Sequence, residues 1–252
     1  MGSIILAGVL LKLGLFALFK FVFPGFAASS VVYVPLVLVI ALIGIVYASC
    51  STLAQIDMKK LVAYSSVAHM NFAVLGMFSF NFYGLAGSIL LMLGHGLVSS
   101  GLFLCVGSLY DRYKTRLFLY YGGLVRVMPA FSFFFFTLVL ANMSFPGTFN
   151  FVGEVLIFFG LIFVNILVCV LSGSTMVLSA AYSLALYTHV MLGNLNYVFV
   201  KFFSDTSKRE FFMLSVLSLL TILFGIFPNL IVFVVEGNLS FYLDSILVFL
   251  YN

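Results

Sequence analysis

The sequence predicts an all-α, polytopic transmembrane helix bundle of about seven spans, one of them a discontinuous helix. Of the 252 residues, 64% are hydrophobic and only 7% are charged, and the mean hydropathy is +1.29. Soluble domains carry about 25% charged residues, so this composition excludes a soluble globular fold. Apolar stretches that can cross roughly 30 Å of hydrocarbon recur along the whole chain. Each span must be helical because a segment in lipid has to satisfy its own backbone hydrogen bonds.

Proline, glycine, asparagine and charged residues bound these apolar stretches and set the element limits. We predict spans near residues 2–22, 31–53, 58–79, 83–109, 129–165, 168–192 and 211–233. The last apolar stretch, 238–251, is short and has polar flanks, so we expect it at the membrane interface or packed on the bundle. No repeat, linker or low-complexity segment indicates a second domain, and 1–252 is treated as one transmembrane domain.

The stretch 129–165 is too long for one straight span, and Pro146-Gly147 interrupts it near its middle. A single crossing places all the basic loops on one side: 54–60, 110–128 and 193–210. Two crossings would separate the last loop from the others, which the positive-inside rule disfavours. We therefore predict one broken helix, with Met1 on the inner, positive side.

The break itself has two interpretations. Non-helical backbone at membrane depth must be buried in protein or line a wet cavity, so we expect residues 145–149 to face the interior of the bundle. Broken helices of this kind often flank ion sites. A simple proline kink without function is the alternative.

Four ionisable residues lie deep inside the predicted spans, and they are the candidate site: Lys12, His69, His95 and Glu154. A charge at the centre of a bilayer costs at least about 2.5–3.5 kcal/mol, so each is a functional candidate. Counted from the nearest predicted helix end, the lysine and both histidines lie about 15–18 Å deep. The glutamate closely follows the helix break. We predict a lateral row at separations of about 8–10 Å, with intervening waters that complete a proton path.

Other interpretations of these residues remain open. A buried histidine can be an interhelical hydrogen-bonding group, and Glu154 can cap the backbone freed at the break. A metal site of His69, His95 and Glu154 is conceivable, although no metal-binding motif spacing supports it. Nearby hydroxyl groups that can hold water belong to Tyr64, Ser65, Ser66, Ser99 and Ser100.

Several classes of site have no support in the sequence. It contains no phosphate-binding glycine pattern, nucleophile elbow, or flavin or nicotinamide fingerprint. The three cysteines are scattered singly, without metal-ligand spacing. We therefore expect no cofactor and no metal in this chain. The net charge of +4 is explained by membrane orientation, and we expect no nucleic acid partner.

Four segments resemble a known family: GSIILAGVLLKLG at 2–14, QIDMKKLVAYSSVAHM at 55–70, HGL at 95–97 and PGTFNFVGE at 146–154. They resemble the antiporter-like subunits of proton-pumping NADH:quinone oxidoreductase (respiratory complex I), and among these the chain 4 group. The resemblance implies that Lys12 is the central lysine, that His69 and His95 connect it, and that Glu154 ends the half-channel in the broken helix. It also implies that flavin, iron–sulfur clusters and ubiquinone belong to other subunits.

The family has fourteen spans, and this chain resembles only the last seven. A fragment of a longer chain and a naturally split subunit are both open, and we expect the split subunit. Its partners would then be a separate N-terminal-half chain packed against residues 2–22, other membrane-arm subunits of complex I, and lipids. We expect the mitochondrial inner membrane rather than a bacterial one.

The resemblance implies a non-redox, proton-pumping subunit of NADH:ubiquinone reductase. Such a subunit would couple quinone reduction in other subunits to proton movement through Lys12, His69, His95 and Glu154. A sodium/proton antiporter subunit of the related family is the alternative. A noncatalytic scaffold is a third hypothesis, against which the four retained ionisable residues argue.

Overall fold

The computed structural model describes residues 2–195 and 204–251, and in this part of the chain all regular structure is helical. The helices are α1 Gly2–Gly25, α2 Ala27–Val32, α3 Val34–Leu53, α4 Met58–Met77, α5 Phe82–Tyr113, α6 Pro129–Asn142, α7 Phe149–Val164, α8 Ile166–Met191, α9 Lys208–Ile226 and α10 Asn229–Tyr251. Two short 3₁₀ turns, Phe118–Tyr120 and Leu124–Arg126, lie between α5 and α6. The predicted all-α, multi-pass membrane fold is confirmed.

Five helices in the described ranges are long and apolar enough to cross a membrane: α1, α3, α5, α8 and α9. Helices α6 and α7 are apolar but shorter, with 14 and 16 residues. At 1.5 Å per residue each covers only about 21–24 Å, so neither matches the hydrocarbon thickness alone.

Helices α6 and α7 follow one neighbour, α5, in a single direction. The contacts move steadily toward the start of α5 as the chain advances: Leu138 on Gly101, Asn150 on Gly94 and Gly160 on Gly84. Two helices that doubled back would meet α5 in the reverse order. The geometry is therefore that of one broken helix.

Residues between Asn142 and Phe149 form the break, where Ser144 and Gly147 take positive φ angles of 57° and 92°. We expected residues 145–149 to face the interior. Thr148 and Phe149 are buried, but Phe145, Pro146 and Gly147 lie on the surface of the chain. Helix α9 covers one side of this turn, because a Cβ added at Gly225 would collide with the Gly147 carbonyl oxygen. The break is thus packed on one side and open on the other.

The chain after residue 207 differs from the predicted spans. We predicted one span at 211–233, but α9 ends at Ile226 and α10 begins at Asn229. Pro228 explains the interruption, since proline lacks a backbone N–H and the residue before it avoids helical geometry. The stretch 238–251 is the second part of α10, and its place at the membrane interface stays a prediction.

The predicted basic loops meet at one end of the bundle. Described residues of all three loops are linked by hydrogen bonds: Met58 N to Arg116 O (3.0 Å) and Arg112 Nη2 to Asp205 O (3.1 Å). Two further bonds join a loop to an adjoining residue: Gly123 N to Leu192 O (2.9 Å) and Ala130 N to Asp205 Oδ2 (3.1 Å). Part of the predicted 193–210 loop, residues 196–203, lies outside the described residues. The end of the bundle where these loops meet is called the basic end below.

Candidate functional site

The four predicted site residues come together in one line of side chains. Lys12 Nζ lies 3.0 Å from His95 Nδ1. The His95 and His69 rings are 5.4 Å apart between centroids and tilted by 44°. His69 Nδ1 lies 3.0 Å from Glu154 Oε1, and these two side chains are each only 5% exposed. The order along the line is therefore lysine, His95, His69 and glutamate.

Glycines on both sides of His95 allow this contact with Lys12. A Cβ added at Gly96 would lie 3.2 Å from the Gly8 carbonyl oxygen of α1 and 3.7 Å from Lys12 Cε. On the opposite side, a Cβ at Gly94 would lie 2.6 Å from Asn150 Oδ1 of α7. Small residues let membrane helices approach closely, and here they place α5 against both neighbours.

Glu154 is held in place by the same kind of close packing. A Cβ at Gly153, the residue before it, would lie 2.7 Å from the Leu91 backbone nitrogen of α5. One turn earlier on α5, a Cβ at Gly87 would lie 2.8 Å from the Gly153 carbonyl oxygen. The backbones of α5 and α7 therefore touch beside the carboxylate, and they fix its distance from the histidines.

Lys12 follows a π-helical turn, Leu6–Leu10, and a second one, Leu18–Val22, comes later in α1. Such turns are frequent at functional sites. Lys12 Nζ donates a hydrogen bond to the Ala7 carbonyl within the first turn, and Ser99 Oγ of α5 donates to the same oxygen at 3.4 Å. The ammonium group is therefore oriented by α1 itself as well as by His95.

The observed spacing is shorter than the predicted one. We expected helix-packing separations of about 8–10 Å bridged throughout by water. Two of the three links are instead contacts of 3.0 Å. Axis-to-axis distances overestimate side-chain separations here because all four side chains extend toward one another between glycine-packed helices.

The hydroxyl groups expected to hold water mostly bond to their own helices. Ser65 Oγ donates to the Val62 carbonyl at 2.9 Å, Ser66 Oγ to Ala63 and Ser100 Oγ to Leu97. Tyr64 is partly exposed at the surface. Only Ser99 reaches across to another helix of the site.

A cavity of about 20 Å³ with both polar and apolar side chains in its lining borders His69 and Glu154, and the sequence-based reasoning missed it. Its other polar walls come from α3 and α8: Ser49, Thr175, Ser179 and Tyr182. The three α8 residues recur at i, i+4 and i+7, which places them on one helix face. That spacing within an apolar helix was the available signal.

Several buried polar atoms near the site have no hydrogen-bond partner in the described part of the chain. They are Nε2 of both His69 and His95, Nδ2 of Asn142, Oγ of Ser144, both amide atoms of Asn150, and the Tyr182 hydroxyl. Buried polar groups normally pair with protein or ordered water. Polar groups with unused bonding capacity thus occur in the line itself, at both histidines, and beside it, at Asn150 and Tyr182.

The third histidine of the sequence, His189, lies outside this line. The rings of His189 and Phe118 have their centroids 5.7 Å apart, close to the basic end. In the described ranges no group of three or more His, Cys, Asp or Glu side chains has an arrangement suited to a metal ion. The three residues considered for a metal site, His69, His95 and Glu154, lie side by side in the line that begins at Lys12.

The family model described as "NADH:quinone oxidoreductase/Mrp antiporter, TM" matches residues 1–180. The NADH-ubiquinone oxidoreductase chain 4 of Acanthamoeba castellanii is 47% identical over 243 residues, which are 96% of this chain and 49% of that relative. Respiratory complex I from Thermus thermophilus contains a chain of similar structure, with a TM-score of 0.88, 27% identity, and coverage of 93% of this chain and 50% of that one.

The Mrp complex from Dietzia sp. also contains a chain of this fold, with a TM-score of 0.76, 17% identity and coverage of 93% and 50%. This likeness extends to the fold alone. The chain spans about half the length of the relatives it matches. Since the family model covers most of the sequence, the resemblance noted from the four motifs is confirmed, and the chain belongs to the NADH:quinone oxidoreductase/Mrp antiporter transmembrane family.

Proposed function

We propose that this chain is part of a proton-translocating, antiporter-like membrane-arm subunit of an NADH:ubiquinone oxidoreductase in the mitochondrial inner membrane. The observation that carries the proposal is the line of four titratable side chains, with contacts of 3.0 Å at both ends. The similarity to a chain named NADH-ubiquinone oxidoreductase chain 4 supports the assignment to this complex. Oxidation of NADH and reduction of quinone would take place on other subunits, which hold the flavin, iron–sulfur clusters and ubiquinone.

Proton movement along the line needs three transfers. The two outer ones, Lys12 to His95 and His69 to Glu154, can use the existing contacts because each joins two titratable groups within hydrogen-bond distance. The inner one must cross between rings whose centroids are 5.4 Å apart. A water molecule bound to the two unpartnered Nε2 atoms can bridge them.

Charge repulsion between neighbouring groups lets the line respond to a proton that arrives at its Lys12 end. At separations near 3–5 Å in a weakly polar interior, two positive charges repel by several kcal/mol. A second proton that arrives on the Lys12–His95 pair therefore favours movement of charge toward His69 and Glu154. The carboxylate at the far end can neutralise that charge.

The partners proposed are the other membrane-arm subunits and the helices that make up the rest of the subunit. The outward face of α1 is apolar and more than half exposed at Leu6, Val9, Leu13 and Phe16. The matched relative is about twice as long as the part that this chain covers, so we propose that the additional helices pack on this face. Identification of the polypeptides that co-migrate with this chain in a native gel would test the assignment.

Substitution of the two ends of the line tests the function. We expect Lys12→Ala and Glu154→Gln to lower the number of protons moved per electron in reconstituted vesicles, while the complex still assembles. Lys20→Ala on the same helix and Glu236→Gln at an exposed site of α10 are matched controls. Unchanged proton-to-electron stoichiometry in the two site variants would contradict the proposal.

The second candidate is a sodium/proton antiporter subunit, which the family description and the shared fold of the Mrp complex favour. It predicts sodium exchange that does not depend on NADH oxidation. Measurement of sodium flux in vesicles, with and without NADH, separates the two functions.

A further inference from the structure

The cavity beside Glu154 lies outside the line of contacts that begins at Lys12. It opens between α3, α4 and α8, and Glu154 enters it from α7. Its lining includes apolar side chains such as Ile45 and Phe72, but α3 and α8 also contribute hydroxyl-bearing side chains. A cavity of this polarity is unlike the dry apolar voids that proteins tolerate without water.

The Tyr182 hydroxyl is a buried group at this cavity that has no hydrogen-bond partner in the described part of the chain. The side chain is 1% exposed, and its hydroxyl has no hydrogen-bond partner among the described residues. A buried hydroxyl without a partner costs about 1–3 kcal/mol. A phenylalanine would fill the same space without this cost, so the hydroxyl calls for a bonding partner.

The neighbouring hydroxyl groups can accept but have already used their protons. Ser49 donates to the Val46 carbonyl at 3.0 Å, Thr175 to Ser172 at 2.6 Å and Ser179 to Met176 at 2.7 Å. Their lone pairs remain available. Glu154 adds the oxygen that does not contact His69. The cavity therefore places the unpartnered Tyr182 hydroxyl, a donor, beside several acceptors.

We infer that this cavity binds one water molecule that links the Tyr182 hydroxyl to the Glu154 carboxylate. The volume of about 20 Å³ accommodates a single water, and the polar walls offer the two to four partners that a buried water needs. Tyr182 is then a positioning residue: through this water it orients the carboxylate that faces His69. Its importance for proton movement rests on the proposed function.

The first test is a high-resolution cryo-electron microscopy map of the assembled complex. Density for a water within hydrogen-bond distance of both the Tyr182 hydroxyl and a Glu154 carboxylate oxygen is expected. A map that resolves ordered water elsewhere in the bundle but shows none here would overturn the inference. This test uses the native protein, so it does not depend on how a variant folds.

The second test is infrared difference spectroscopy of the same complex. The carboxyl band of Glu154 is identified by its loss in Glu154→Gln. We expect Tyr182→Phe to shift this band to higher frequency, because the carboxyl group loses a hydrogen-bond partner. Tyr187→Phe, on the same helix but packed against Phe135 and Phe136, should leave it unchanged. An unshifted band in Tyr182→Phe would overturn the inference.

A cavity-filling variant separates the water from the tyrosine. Ser179→Val adds apolar volume where the water would lie and leaves Tyr182 in place, so the same band shift is expected. Ser183→Ala, one turn further along α8, is the control. The infrared band reports on Glu154 itself. It can stay unshifted while Glu154→Gln abolishes pumping, and it can shift while that variant pumps normally. Failure of this inference is therefore distinguishable from failure of the proposed function.

Discussion

Helices α5 and α1 meet at the Lys12–His95 contact, but the chain buries them to very different extents. In the most apolar part of α5, 67% of residues are buried, compared with 17% in α1. Helix α5 packs against α4 and α7 on two sides, whereas α1 touches the bundle along one edge. The position of His95 is thus determined inside this chain, and that of Lys12 is much less so.

The difference has a physical origin in the membrane. Lipid tails are as apolar as leucine, so exposed apolar side chains on α1 supply little driving force for association. Near Lys12, α1 is held by close packing at a few small residues, Gly8 and Gly96 among them, whereas its buried large side chains, Phe19 and Phe23, lie further along the helix. The contact between Lys12 and His95 therefore depends on a narrow seam, which other helices of the assembled subunit would reinforce.

The strongest test of this comparison is a methyl group added on the buried face of α5. We expect Gly87→Ala to destabilise the protein by about 1–3 kcal/mol or more, because overpacked cores cannot relax easily. The new Cβ would lie 2.8 Å from both the Gly153 carbonyl oxygen and the Ile157 backbone nitrogen. The amount of assembled complex on a native gel and its midpoint temperature of dissociation measure the effect.

Gly14→Ala on α1 is the matched change on the peripheral helix, where an added Cβ meets nothing within 4 Å. We expect a change within about 0.5 kcal/mol, as for most surface substitutions. Equal losses of complex in the two variants would show that the proposed contrast between α5 and α1 is wrong.

A loss that does not exceed that of Gly87→Ala is expected at the basic end of α5. Arg112 donates to Glu210 Oε2 at 2.5 Å and to the Asp205 carbonyl, and both charged side chains are mostly buried. We expect Arg112→Ala to cost about 1.5–3 kcal/mol, the usual range for hydrogen bonds to charged groups. Thermal stability of the purified complex is the measurement.

The exposed pair Lys60–Asp57 is the control for this substitution. Its atoms are 3.5 Å apart and the lysine side chain is 66% exposed, so solvent screens the attraction. Lys60→Ala should change stability by less than about 0.5 kcal/mol. A larger loss for Lys60→Ala than for Arg112→Ala would refute the argument from burial.

Replacement of Asp205 is expected to cause a still smaller loss of stability. Its carboxylate accepts hydrogen bonds from the backbone N–H groups of Ala130 and Phe131, at 3.1 and 3.2 Å, and so caps the start of α6. Loss of such a cap costs about 0.5–2 kcal/mol. Asp205→Ala should therefore lower the dissociation temperature, and Asp205→Asn, which keeps an acceptor oxygen, should lower it less. An identical decrease in both variants would mean that the cap is not the cause.

Much of the fold was predictable because lipid imposes simple constraints. Apolar length and backbone satisfaction sufficed for an all-α bundle, and Pro146-Gly147 with the distribution of basic loops predicted the broken helix. The end of α9 at Ile226 was missed because the apolar run continues through Pro228, and hydropathy does not register that proline interrupts helix hydrogen bonding.

The membership of the site was also predictable, since ionisable residues are conspicuous in apolar spans. Its geometry was not. The order in which His95 precedes His69, and the contacts of 3.0 Å, follow from glycine packing between helices that are distant in sequence. Tyr182 was missed for another reason: one tyrosine among 13 has no distinguishing feature until the structure places its hydroxyl beside Glu154.

The smallest structural change predicted here is the one most specific for function. A Cβ at Gly96 would lie 3.2 Å from the Gly8 carbonyl oxygen, so a shift of α1 by a few tenths of an ångström relieves the contact. Because α1 is peripheral, it can move without disturbing the packing of α5 and α7. We expect Gly96→Ala to cost less than about 1 kcal/mol of stability, in line with a mild overpacking.

The same shift lengthens the contact between Lys12 and His95, and proton transfer is sensitive to donor–acceptor distance. Under the proposed function, Gly96→Ala should therefore lower the number of protons moved per electron although the complex assembles in normal amount. Gly107→Ala, on the same helix but with nothing within 4 Å of an added Cβ, should leave pumping unchanged. If Gly96→Ala instead reduced assembly as much as Gly87→Ala, α1 would be held as firmly as the core, and the position of Lys12 would be determined by this chain alone.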